Sequence, residues 1–267
     1  MIGRGVGRSS GTHAPERGNA VLRISGAKLR TDSASFDFVA LAGEVVAVTG
    51  PVGAGKSTLA RAIFGRWPLA SGLMELDDEP WRPTSATESI RRGVFMAGED
   101  RWRTTFFPPS VPFAHIAGTI GFPFLSQWGA AGLVSRGAEI RASRALIREF
   151  GVKTRGPLDA LTALSGGNQQ KVVLTRWHAE PERLLLLDQP FQGVDIGARN
   201  DIIQAIRTKS RDGATVVFVN DLEEALEVGD RVVVLVDHSI ASDGDGALAE
   251  AAQLLASSSP AIPHALS

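Results

Sequence analysis

Apolar positions along the chain follow two periods. Short runs rich in β-branched residues, bounded by glycine or charge, predict strands at Val21 to Ser25, Phe36 to Val39, Val45 to Thr49, Leu184 to Leu187, Thr215 to Val219 and Val232 to Val236. Between them, spacings of three and four predict helices at Ser57 to Phe64, Asn168 to Ala179 and Ile196 to Arg211. The last of these places Ile202, Ile203 and Ile206 on one face. Val45 to Val48 and the leucines from 184 to 187 are apolar throughout, as strands buried on both faces are. The alternation of strand and helix predicts an α/β domain with a mostly parallel sheet covered by helices.

Residues 100 to 160 interrupt this rhythm and read as a helical insertion. From Thr104 to Ser135 the chain holds no Asp, Glu, Lys or Arg, and it gathers Phe106, Phe107, Phe113, Phe122 and Phe124. A membrane span needs about 20 apolar residues, which this segment could supply. Pro108, Pro109, Pro112 and Pro123, with Gly118, Gly121, Gly129 and Gly132, would break such a helix, so a compact insertion is the expectation. Its phenylalanines then form either a docking face or an internal core.

Composition narrows the classes further. The chain has 267 residues, 43% hydrophobic and 21% charged, enough for one sizeable domain with a full core. A net charge of -1 argues against general electrostatic binding of nucleic acid. The lack of cysteine excludes disulfides and thiolate metal sites and fits a reducing compartment. Residues 1–19, rich in Gly, Ser and Arg, read as a disordered leader without the apolar core of a signal peptide. Ala247 to Ala256 reads as a terminal helix before a Ser/Pro tail, and the lone Trp102, Trp177 and His178 as packing or surface positions.

The sharpest chemistry lies at Gly50, Pro51, Val52, Gly53, Ala54, Gly55, Lys56 and Ser57, followed by Thr58. Three glycines leave the backbone free to converge its N–H groups on phosphates, and the helix that follows adds its positive dipole end. Lys56 would reach the β- and γ-phosphates, and the Ser57 hydroxyl would ligate Mg²⁺. A strand directly before and a helix directly after supply the context this motif requires. A magnesium site also needs a carboxylate from a neighbouring strand end, and Asp188 follows the leucine strand at the edge where open α/β sheets bind ligands. The loop therefore predicts a bound nucleoside triphosphate.

Between these two elements lies Leu164 to Gln170, LSGGNQQ. In order with the loop, the leucine strand and Asp188, it resembles the signature of ATP-binding-cassette (ABC) ATPases over about residues 20–245. The segments LSGGNQQKVVLTRW, GVDIGARNDI and GEDRWRT are similar to the C-terminal cassette of ribose- and other monosaccharide-type importers. The resemblance implies a P-loop NTPase of the ABC type: a mostly parallel core, an antiparallel β part and a helical subdomain over about 100–165, with residues 246–267 as the C-terminal helix and tail. It narrows the triphosphate to ATP and implies head-to-tail pairing with a second cassette, in a homo- or heterodimer. Ser165, Gly166, Gly167, Asn168 and Gln169 of one cassette would then face the γ-phosphate held by the other. Ser165 and the N–H groups of the two glycines, at a helix N-terminus, suit such an anion. The resemblance further implies that Asp195 reaches across the pair and that Glu99 stands where relatives sense Mg²⁺ and the permease. The implied partners are a transmembrane permease and, indirectly, a periplasmic or extracellular sugar-binding protein, with the chain peripheral on the cytoplasmic face of the membrane.

Two residues depart from that pattern. Gln189 follows Asp188 where a glutamate usually serves as general base, and Asn220 stands where a histidine is usual. An amide cannot accept the water's proton, and loss of a general base removes about 10²–10⁴-fold in rate, or about 3–5 kcal/mol. Gln189 can still orient a water, and Asn220 can still donate to a γ-phosphate without becoming cationic. The chain's own ATP site is thus expected to be weakened while its signature is intact, the pattern of the C-terminal-type half of a split importer ATPase. The alternative is a degenerate module that completes and regulates a partner's ATP site. No aromatic around Ala27 to Arg30 suggests itself for stacking on adenine.

Overall fold

The computed structural model describes residues 18–125, 129–130, 133–209 and 213–244. The expected leader up to residue 17, the helix at Ala247 to Ala256 with its tail, and the last two positions of the helix expected to end at Arg211 lie outside the described residues.

The fold is α/β, built on two sheets. An antiparallel sheet of β1 (Ala20–Lys28), β2 (Phe36–Leu41), β4 (Ser71–Leu76) and β5 (Glu79–Pro80) has the order β2-β1-β4-β5. The central sheet contains β3 (Val45–Thr49), β6 (Val94–Ala97), β9 (Leu184–Asp188), β10 (Ala214–Phe218), β11 (Arg231–Val236) and β12 (Ser239–Asp243). Its order is β12-β11-β3-β10-β9-β6, parallel throughout except for the antiparallel edge strand β12. All five residues of β3, β9 and β10 are buried, as continuous apolar runs require when both faces are covered.

Side chains alternate strictly across this sheet and divide the core into two layers. Val45, Ala47, Leu185, Leu187 and Val217 pack towards the helical insertion. Val46, Val48, Leu184, Leu186 and Val216 face the antiparallel sheet and α1 (Lys56–Ile63). The helix α2 (Ala86–Arg91), capped by Ser85, leads into the edge strand β6.

The insertion is built of short pieces: α3 (Arg101–Thr104), α4 (Ile116–Gly121), the hairpin β7 (Gly129–Ala130) with β8 (Leu133–Val134), and α5 (Arg136–Glu149). The chain then returns to α6 (Gly166–Trp177), α7 (Ile196–Lys209) and α8 (Leu222–Val228). No helix of the described residues is long and apolar enough to cross a membrane. The phenylalanines divide. Phe106 and Phe124 are buried, and Phe124 meets Phe95 edge-on while Trp177 stacks on Phe95. Phe113 and Phe122 remain 42% and 46% exposed and form an aromatic trio with Phe107. His178 is buried against Phe150, and Trp102 lies edge-on to Phe106.

The strands β4, β5, β6 and β12 and the helices α2 and α8 carried no prediction. β4, β5 and β12 are mostly exposed or half-buried, so no uninterrupted apolar run marks them.

Candidate functional site

The link from β3 into α1 is a left-handed loop. Gly50, Gly53 and Gly55 adopt φ of 147°, 86° and 103°, a region that side-chain-bearing residues rarely enter. At Gly50 space is also decisive, because a Cβ there would lie 2.0 Å from the carbonyl oxygen of Leu235. Gly55 caps α1 without a side chain, so the first N–H groups of that helix stay available to an anion.

Lys56 is buried, and its ammonium folds back to donate to the carbonyls of Gly50 (2.5 Å) and Pro51 (2.8 Å). Burial lowers its pKa, and the carboxylate of Asp188 partly offsets this. A buried cation satisfied only by carbonyls is suited to take up an anion of matching charge. Ser57 Oγ donates to Asp188 Oδ1 at 3.2 Å across 131 positions of sequence. Burial pushes the Asp188 carboxyl up, the Ser57 hydroxyl draws it down, and Glu99 pushes it up further. A hydroxyl and a buried carboxylate form an oxygen donor pair suited to a hard cation such as Mg²⁺.

A cavity of about 210 Å³ opens over this loop, lined by Val52, Gly53, Gly55, Lys56, Ser57, Thr58, Glu99, Gln189 and Asn220. The sheet order explains the gathering. Glu99 follows β6, Asp188 ends β9, and Asn220 follows β10, so all three arrive at the carboxyl edge beside β3. Gln189 has a left-handed backbone (φ 54°), pinned by its N–H to the Phe218 carbonyl at 2.9 Å. Such a conformation costs about 1–3 kcal/mol and persists when the surroundings impose it. It turns the chain sharply at the strand end.

The signature residues do not line this cavity. Ser165 caps α6, accepting from the Asn168 N–H and, at 2.9 Å, from Asn168 Nδ2. Asn168 also accepts from the Lys153 N–H, and Gln169 donates to the carbonyls of Leu161 and Leu164. Asp195 accepts from the Ala198 N–H and so starts α7. Gly166 and Gly167 are close-packed: a Cβ would stand 2.4 Å from the Gly193 carbonyl oxygen and 2.4 Å from Ala198 Cβ, respectively.

One connection escaped the sequence. Glu99 accepts from Gln192 Nε2 at 3.3 Å, while Arg101 donates to the Gln192 carbonyl and to Gln170 Oε1 on α6. The pocket acid is thereby tied to the signature helix through Gln192, which lies outside the motifs, and Arg101, to which the GEDRWRT resemblance assigned no role. Further along α6, Arg176 is buried, with its pKa lowered to about 10 by desolvation, and donates to the Thr105 carbonyl at the root of the insertion.

Comparison with known proteins agrees with this geometry. The family model described as "ABC transporter" matches residues 33–192. The chain is 35% identical over 244 residues to a ribose import ATP-binding protein, RbsA 2, of Rubrobacter xylanophilus, covering 91% of this chain and 46% of that protein. It is 36% identical to an arabinose import ATP-binding protein, AraG, of Burkholderia pseudomallei, covering 91% of this chain and 48% of that one. The chain thus spans about half the length of the curated relatives it matches. Among solved structures, cbiO1 from Clostridium perfringens superposes with a TM-score of 0.71 at 18% identity, covering 88% and 92% of the two chains. The ATP-binding cassette MJ0796, solved as a dimer bound to ADP and Pi, gives 0.67 at 21% identity, covering 84% and 98%. These two establish the fold. The chain belongs to the ABC transporter family.

Proposed function

We propose that this ABC-family chain is an ATP-binding subunit that couples ATP binding and hydrolysis to import of a sugar through a membrane permease. The observation that carries the reading is the gathering of Lys56, Ser57, Glu99, Gln189 and Asn220 around one cavity, with Asp188 hydrogen-bonded to Ser57. The likeness to ribose and arabinose import proteins supports the sugar. The cassette occupies residues 20–245, with its helical subdomain at about 100–165.

Lys56 exchanges its two carbonyl contacts for the β- and γ-phosphates, and the N–H groups from Gly53 to Thr58 bind the chain of phosphate oxygens. Ser57 and Asp188 would hold Mg²⁺, which would supply charge neutralisation to the phosphates when bound. Gln189 orients the attacking water without accepting its proton, and Asn220 donates to the γ-phosphate. Own-site turnover is therefore slow. Ser165 to Gln169 and Asp195, lying away from the chain's own cavity, serve the ATP of a second cassette, identical or different, that pairs head to tail. The exposed Phe113 and Phe122, with the half-buried Phe107 beside them, receive the permease on the cytoplasmic face of the membrane, and a sugar-binding protein on the far side selects the cargo.

The test combines binding, turnover and uptake. The chain should bind Mg-ATP with a Lys56-dependent affinity and hydrolyse it slowly when alone, and Gln189→Glu should raise turnover about tenfold or more. Cells carrying Lys56→Ala should lose uptake of at least one monosaccharide. A chain that binds no ATP, or sugar uptake indifferent to Lys56, would overturn the assignment.

A further inference from the structure

The cavity accounts for the phosphates and leaves the nucleoside without a seat. Glu99, Asp188, Gln189 and Asn220 all follow strands on one side of β3, in the order β10, β9, β6. They mark the γ-phosphate end. A nucleotide laid across the phosphate loop must therefore carry its base to the other side of β3, where β11 is the neighbour. β11 runs parallel to β3, with Val234 opposite Thr49, so its carboxyl end emerges at the same edge as the loop.

What emerges there is the turn Asp237-His238 that joins β11 to β12, with Val236 opposite Ser239. Both turn residues are left-handed, at φ of 47° and 65°, in a two-residue hairpin whose second position favours glycine. His238 is anchored to the loop by its N–H, which donates to the Ala54 carbonyl at 2.9 Å. Its ring closes on the last loop glycine: a methyl on Gly55 would stand 3.0 Å from His238 Cδ2 and 3.2 Å from Leu29 Cδ1. The segment Ala27 to Arg30, which holds Leu29, offers no aromatic ring, and the chain has no tyrosine at all. Beside Gly55 stands an imidazole from the opposite end of the sequence.

We infer that His238, backed by Leu29, is the platform on which the base of the bound nucleotide stacks. The inference rests on the nucleotide-binding reading above and adds to it the residue that holds the nucleoside. An imidazole offers a flat π-face without a fixed hydrogen-bond code, so the contact strengthens binding of any purine nucleotide and leaves the phosphates alone.

The experiment measures binding of Mg-ATP and of inorganic tripolyphosphate to the full chain by calorimetry. His238→Gly is the informative variant, because glycine suits the left-handed turn and removes only the ring. It should weaken ATP about tenfold while leaving tripolyphosphate within about twofold, and His238→Phe should bind ATP within about threefold of the native chain. Unchanged ATP affinity in His238→Gly, or equal loss of ATP and tripolyphosphate, would overturn the platform while leaving nucleotide binding standing. A native chain that binds neither ligand would sink the broader reading and this one with it.

Discussion

The phosphate loop and the signature segment are both glycine-rich starts of helices, yet they need glycine for different reasons. In the loop, Gly50, Gly53 and Gly55 hold left-handed backbone, and at Gly53 nothing lies within 4 Å of a notional Cβ. The requirement there is conformational. In the signature, Gly166 and Gly167 carry no such φ, and glycine is required because Gly193 and Ala198 press against them. The loop caps its helix with a bare glycine and leaves N–H groups for a ligand, whereas the signature caps its helix with Ser165. One segment is shaped chiefly by its own backbone, the other by what packs on it. A change at Gly193 or Ala198 should therefore move the signature and spare the loop.

Gly50 is where both requirements meet, so it should give the largest effect. Gly50→Ala forces a methyl onto the Leu235 carbonyl and should destabilise the chain by about 3 kcal/mol or more, read from the urea midpoint. Next comes Lys56→Met, which removes a buried charge without leaving a hole. Its Mg-ATP affinity should fall about 100-fold, a loss of charge-assisted hydrogen bonds, while thermal stability changes little, because relief of the desolvated charge offsets the two carbonyls left without a donor. A variant that lost both together would undo the claim that this ammonium is held ready for an anion.

Smaller effects probe the signature. Gly167→Ala meets Ala198 Cβ and should cost about 1–3 kcal/mol from overpacking. Ala198→Gly should recover most of that in the double variant, and a simple sum of the two single effects would contradict the packing account. Ala198→Gly alone should leave ATP binding at the chain's own loop unchanged.

The least effect is confined to a window of pH. Burial holds the folded Asp188 carboxyl above its ordinary 3.8, so the folded chain binds this proton more tightly than the unfolded one. That contribution is complete below pH 3.8 and is lost as pH rises through the raised value. The stability of the native chain minus that of Asp188→Asn, from denaturant curves without Mg²⁺, should fall with rising pH in that window. A flat difference would mean that Asp188 is not desolvated by the fold.

Much of this was legible in the residues. β3 and the leucine strand announced themselves through uninterrupted apolar runs, and their predicted bounds differ from the observed ones by at most one residue. The phosphate loop was legible because its chemistry is local, with strand, glycines, lysine and helix contiguous. The insertion was half legible. Its short helices carry more apolar positions than one face can bury, so no period could tell the buried Phe124 from the exposed Phe122 two residues away. The ties from Arg101 to Gln170 and from Gln192 to Glu99 were illegible, since they bridge 69 and 93 positions.

By itself, then, the sequence determined which segments become the longest buried central strands β3, β9, β10 and β11, where the phosphate loop lies and which residue types stand beside it. Those properties follow from backbone propensity and from neighbours within a few positions. Only the tertiary structure decided the order β12-β11-β3-β10-β9-β6. That order rests on hydrogen bonds between strands remote in sequence, and it places Glu99, Asp188, Gln189 and Asn220 on one side of β3 and His238 on the other. The same residues joined in another strand order would keep every motif and lose the site.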